Sequence, residues 1–140
     1  MRSTLILSVV AAILLAGSAQ AESTIEDKVR ASFVREFLEG MAGPIRESII
    51  ESGYSETEAD AFLKTMAIGY ANCNLDFFLS RPEEEFKFAL ELMSDERNKA
   101  KFEELMGDRY RVVERILELE KEQITGCYHT AFQKVFREMK

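Results

Sequence analysis

Apolar residues recur along this chain at steps of three and four, in runs that open on helix-capping residues and close on glycine. Ser55-Glu56-Thr57-Glu58 is the plainest opening. A serine hydroxyl there accepts from the backbone N–H three residues on, and the glutamate at that position reaches back to the serine N–H. Ser23-Thr24-Ile25-Glu26 carries the same signal, and behind it Ile25, Val29, Phe33, Phe37 and Met41 form one stripe along a first helix. Gly40 and Gly43-Pro44 stop that helix, and Pro44 suits the first position of a short second one bearing Ile45, Ile49 and Ile50 and ending near Gly53. The helix opened at Ser55 sets Phe62, Met66, Tyr70, Cys73 and Phe77 on one face. Ser80-Arg81-Pro82-Glu83 predicts a fourth helix, with Glu83-Glu84-Glu85 at the positive end of its dipole and Phe86, Ala89, Leu90 and Met93 turned inward. Ser94-Asp95 starts a short fifth with Phe102, Leu105 and Met106, closed by Gly107. From Asp108 to about Met139 there is no proline. Tyr110, Val113, Ile116, Leu117, Ile124, Cys127, Ala131 and Val135 predict one long C-terminal helix, weakest at Thr125-Gly126. No stretch alternates with period two between turn residues, so no strand is predicted.

None of these helices is stable until its apolar face is covered. Together they predict an all-α fold, a compact bundle of five or six amphipathic helices forming a single domain over residues 22–140. The chain has two cysteines, Cys73 and Cys127, and both fall on apolar stripes. Their pairing would staple the third helix to the C-terminal one from inside. Closing a loop of that length removes unfolded-state entropy worth about 4 kcal/mol. No C-x-x-C pair occurs, which argues against thioredoxin-like exchange.

Residues 1–21 read as a secretory signal peptide: Arg2, an apolar run from Leu5 to Ala16, and the small-x-small site Ala19-Gln20-Ala21 before Glu22. A spanning helix needs roughly 20 apolar residues, more than this run supplies. Ser18 stands where a lipidation box needs cysteine. Cleavage behind Ala21 is therefore expected, leaving no membrane anchor and a soluble protein in the periplasm or the surrounding medium. Disulfides persist in such a compartment. The net charge is −7, and loss of Arg2 makes it one unit more negative. Such a surface repels phosphate backbones, so nucleic acid is excluded as a partner.

His129 is the only histidine, which removes H-E-x-x-H zinc sites and leaves no Ser-His-Asp arrangement that does not use it. Gly126 stands where an E-x-x-H ligand pair needs its glutamate. No C-x-x-C-H, G-x-S-x-G, P-loop, G-x-G-x-x-G or EF-hand loop occurs. No metal, no cofactor and no enzymatic activity are expected.

Three features remain. Cys127-Tyr128-His129 offers a ligand or a pH-sensing imidazole, set against an incidental surface histidine. Glu114, Glu118 and Glu122 lie at helical spacing, either as a docking face or as a solvated one neutralised by Arg111, Arg115 and Lys121. Phe77, Phe78, Phe86 and Phe88 crowd the turn between the third and fourth helices. Adjacent helical positions point about 100° apart, so one narrow stripe cannot bury all four. They predict either a helix packed on two sides or an apolar patch for a partner. The function expected is that of an exported helical binding protein, docking a protein partner or client through these phenylalanines while its acidic surface steers basic partners. An inhibitor of the immunity-protein kind and a chaperone both fit. The alternative is a periplasmic carrier of a small apolar ligand, which needs an enclosed pocket of about 300 Å³ or more.

Overall fold

The computed structural model describes residues 24–139, so the leader expected over residues 1–21 lies outside the described residues. Helix α1 (Ile25–Gly40) starts where the Thr24 hydroxyl accepts from the Asp27 N–H at 3.2 Å. The cap thus falls one residue later than a box built on Ser23. Only Met41 separates α1 from α2 (Ala42–Glu51). Pro44 therefore sits within the first turn of α2, not at its first position. It is tolerated because the first four helical N–H groups have no partner inside the helix. Helix α3 (Glu56–Ser80) opens on the predicted capping box with both bonds made. Glu58 N donates to Ser55 Oγ at 3.2 Å, and Ser55 N to Glu58 Oε2 at 2.8 Å.

Ser80 does not cap the next helix. Its hydroxyl donates to the Phe77 carbonyl at 2.8 Å and closes α3, while α4 (Glu84–Met93) begins behind Glu83 with no side-chain cap. Asp95 caps a 3₁₀ helix (Glu96–Lys101) that runs into the short α5 (Phe102–Met106). Gly107, at φ 55°, ends it in a conformation that side chains disfavour.

The predicted long C-terminal helix is two helices, α6 (Asp108–Leu119) and α7 (Lys121–Glu138). The break falls at Glu120, whereas Gly126 lies inside α7 as an ordinary helical residue. The described residues thus form seven α-helices rather than five or six, with no strand among them. The cause of the break is tertiary. α6 packs on α4 and α5 while α7 packs on α3, and these partners differ in position. A single residue, Glu120 at φ −102° and ψ 17°, redirects the chain between them.

Helix α3 is the axis of the packing, with α1 along one side, α7 along another, and α2 and α4 against it. Its burial is two-sided, and Leu63, Met66, Ala67, Ala71, Leu75 and Phe77 are all buried. Phe37, Met66 and Val135 centre one cluster, Val29, Phe33 and Leu75 a second, and Phe77, Phe86 and Met106 a third. Small residues let α7 approach closely: a Cβ built on Gly69 would stand 3.4 Å from the Cβ of Ala131. Cys73 and Cys127 are joined across this same interface with their Cα atoms 5.5 Å apart, as their stripes predicted. Asn74, buried in the core, donates to the Tyr70 carbonyl at 2.9 Å, and among the described residues no buried side-chain polar atom lacks a partner. No helix among them is long and apolar enough to cross a membrane.

Candidate functional site

The turn between α3 and α4 brings Phe77, Phe78 and Phe86 together. Phe78 and Phe86 have ring centroids 5.2 Å apart, Phe77 and Phe86 6.1 Å, and Phe77 and Phe78 6.0 Å in an edge-on contact. Phe86 has no exposed surface and Phe77 is buried, while Phe78, half-buried, also meets Phe33 at 6.0 Å. Phe88, half-buried, packs against the same cluster, with the Arg109 guanidinium 4.4 Å from its ring centroid. These four side chains cement α3, α4, α1 and α6. Of the four, Phe77 borders a depression of about 300 Å³, shared with Cys73, Asp76, Ser80, Gln123 and Cys127.

Arg81 seals that turn. Its guanidinium makes two hydrogen bonds to the Glu83 carboxylate, at 2.6 and 3.1 Å, and lies 5.9 Å from the Phe86 ring centroid. A longer ion pair of 3.9 Å reaches Glu120 at the α6–α7 break. The Arg81 hydrogen bond holds the Glu83 carboxyl below its usual value. Burial raises the Tyr70 hydroxyl, with the Glu36 charge adding to it, where the ring packs between Phe33 and Phe37.

The other two sequence features separate. Glu114 and Glu118 lie on α6 and Glu122 on α7, so the Glu120 break divides the acidic stripe. All three are exposed, and among the described residues none pairs within 4.0 Å with Arg111, Arg115 or Lys121. His129 is exposed, edge-on to Tyr128 at 5.8 Å. Among the described residues no group of three or more His, Cys, Asp or Glu side chains is placed to hold a metal ion.

An open apolar groove does exist, between α2 and the C-terminal half of α7. Pro44, Ile45, Ser48, Ile49 and Ser52 form one wall, and Tyr128, Phe132, Phe136 and Met139 the other, around a volume of about 280 Å³. The α7 wall is a second stripe beside the one that carries Cys127, Ala131 and Val135. Tyr128, Phe132 and Phe136 are each one position further on, turned about 100° around the helix, and Met139 closes the wall at its end. Tyr128 and Phe132 stack with centroids 6.1 Å apart, and Phe132 and Phe136 lie at 4.3 Å. The inner end rests on Phe37, 6.5 Å from Tyr128. The outer end is open, with Phe136 46% exposed. The Tyr54 hydroxyl donates to the Met139 carbonyl and straps the end of α7 to the α2–α3 turn.

Among the described residues no charged side chain lines this groove. Other depressions are lined with charges: Asp27, Arg30, Arg35 and Glu39 on α1; Glu36, Asp95, Glu96 and Lys99 between α1 and the 3₁₀ helix; Lys99, Lys101, Glu103 and Glu104 beside α5. The groove was readable in the sequence, since Tyr128, Phe132 and Phe136 keep a four-residue step. The parallel Cys127 stripe, sufficient by itself to account for a helix, obscured it. Comparison with protein-family models, with curated proteins and with solved structures finds no match.

Proposed function

We propose that this chain is an exported interaction protein of the periplasm that docks a protein partner and carries out no catalysis of its own. The docking surface in this reading is the α2–α7 groove, in place of the Phe77/Phe78/Phe86/Phe88 region that the chain uses as core. One observation carries it: an uncharged aromatic groove, open at Phe136, on a chain of net charge −7 whose other depressions are charged. Export is supported by the leader-like residues 1–21 and by the Cys73–Cys127 bridge, which suits an oxidising compartment.

The shape favours a protein over a small apolar ligand. Pockets that carry small molecules run to about 300–1,000 Å³ and bury most of the ligand. This groove, at about 280 Å³, is at the bottom of that range, and its open side leaves a lodged ligand in water. A partner's side chains fill such a groove while the partner's body covers the opening. The test is affinity capture with the oxidised protein, exported from its full-length chain, alongside Phe136→Glu and Ile68→Glu. Both positions are exposed, and Ile68 lies on α3 away from the groove. A partner retained by Ile68→Glu and lost with Phe136→Glu supports the reading. A co-purifying apolar small molecule with no protein partner overturns it in favour of a carrier.

A further inference from the structure

The docking reading leaves the partner's chemistry open, and the surface of the same chain supplies a match. Groove residues Tyr128 to Met139 span eleven helical steps, about 16 Å or three turns at 1.5 Å each. Both walls are helices whose backbone groups are already bonded within them, so no strand edge is offered and recognition must run through side chains. A helix of three turns with apolar residues at i, i+4 and i+7 is the element that fits.

Helix α6 is twelve residues long and carries such a face outward. Val112 is 41% exposed, Leu119 is 78% exposed, the most open large apolar side chain among the described residues, and half-buried Ile116 lies between them. Among the described residues nothing covers most of Leu119. The charges match as well. Glu47 and Glu51 stand exposed on the outer shoulder of α2, one position before the groove-lining Ser48 and Ser52. Arg111 and Arg115 stand exposed beside Val112 and Leu119. Each pair is spaced one helical turn, and none of the four makes an ion pair within 4.0 Å among the described residues. Arg46, by contrast, is occupied by Asp60 at 2.9 Å and Glu56 at 3.7 Å.

The geometry points to a second copy of this chain as the partner, its α6 seated in the α2–α7 groove with Arg111 and Arg115 along Glu47 and Glu51. This rests on the docking role of the groove. The contact is head-to-tail: each copy offers a groove to one neighbour and an α6 to the next, so association does not stop at a dimer unless a ring closes. Two exposed anchors make it a weak, salt-sensitive contact.

Sedimentation equilibrium of the oxidised protein, from micromolar to millimolar concentration, tests it. The weight-average mass of the unmodified protein is expected to climb past the dimer and to fall back in high salt. Leu119→Glu and Phe136→Glu, both at exposed positions, are each expected to stay monomeric. An equimolar mixture of the two then forms a one-to-one dimer and nothing larger, because one variant keeps its groove and the other its α6. That rescue also shows that both variants fold. A protein that is monomeric throughout refutes the inference, and so does a mixture that fails to dimerise. Foreign-partner capture that depends on Phe136 would then leave the docking reading standing alone. Joint reversal of Arg111 and Arg115 to Glu is expected to abolish association, and pairing that variant with Glu47→Arg/Glu51→Arg to restore it. No restoration overturns the assigned orientation.

Discussion

Replacing both cysteines with alanine isolates the contribution of the staple. Alanine is the right replacement because Cys127 is 3% exposed, and a serine there would bury a hydroxyl as well as remove the bond. The bridge joins residues 54 apart in sequence, both on helices already packed through Gly69 and Ala131. The cost therefore lies in the unfolded chain, which gains the freedom of an open loop. For a loop of this length the chain-entropy relation gives about 4 kcal/mol at 25 °C. Domains of this size hold only about 5–15 kcal/mol in total, so the change removes a large share of the stability. It corresponds to a fall of roughly 15 °C in Tm. Urea unfolding followed by circular dichroism, oxidised protein against Cys73→Ala/Cys127→Ala, measures it directly. A loss below about 1 kcal/mol at unchanged denaturant slope would refute the entropic reasoning. It would mean that the α3–α7 contact already persists in the unfolded ensemble.

Three further outcomes are expected. Phe86→Ala costs about 3–5 kcal/mol in chemical denaturation, because the ring has no exposed surface and three neighbours lose contacts around the cavity; Phe88→Ala, half-buried under Arg109, costs less. The Asp95 carboxyl, held at about 2 first by its hydrogen bonds to the Arg97 side chain, contributes stability that is complete above the ordinary value of 3.8 and is lost as pH falls through about 2; carbon-detected NMR titration reads this value, and Arg97→Ala is expected to raise it. Gly126→Ala stabilises the protein by about 1 kcal/mol in thermal or urea unfolding, since the residue is inside α7 and an added Cβ meets nothing within 4 Å.

What the sequence made legible was local. The Ser55 box, the stop at Gly40, the turn at Gly107 and the two cysteine-bearing stripes are each decided within a few residues, and the structure carries all of them. The break at Glu120 was hidden for a definite reason. Val113 and Leu117 continue in phase into Ile124, Cys127 and Ala131, so an unbroken helix would carry them on one face. Only the positions of α4 and α3, set by the rest of the chain, force the turn. Ser80 failed as a start signal because the same hydroxyl serves equally well as a bond to the turn behind it. The candidate site moved for a related cause. Aromatic density marks both cores and docking faces, and neither composition nor spacing tells how many neighbours a helix has.

Counting faces against neighbours separates the two. Helix α3 carries apolar residues around more than half of its circumference and packs against α1, α7, α2 and α4, which buries Phe77 and half-buries Phe78 while Ile68 and Leu79 stay exposed. Helix α7 also carries two stripes, yet inside the molecule it has one extensive neighbour, α3, which takes Cys127, Ala131 and Val135. The second stripe reaches the core at its inner end, where Tyr128 meets Phe37 of α1, and further out it faces only the open groove beside α2, with Phe136 46% exposed. Helix α6 shows the same surplus, with Val113 buried while Val112 and Leu119 face outward. A chain that buries Phe37 and Phe86 completely has no need of these extra apolar residues for its core. Other helices also expose apolar residues, such as Ile68 on α3. What sets α6 and α7 apart is that their exposed apolar side chains lie beside charges of opposite sign that make no ion pair among the described residues, and the proposed contact with a second copy accounts for both.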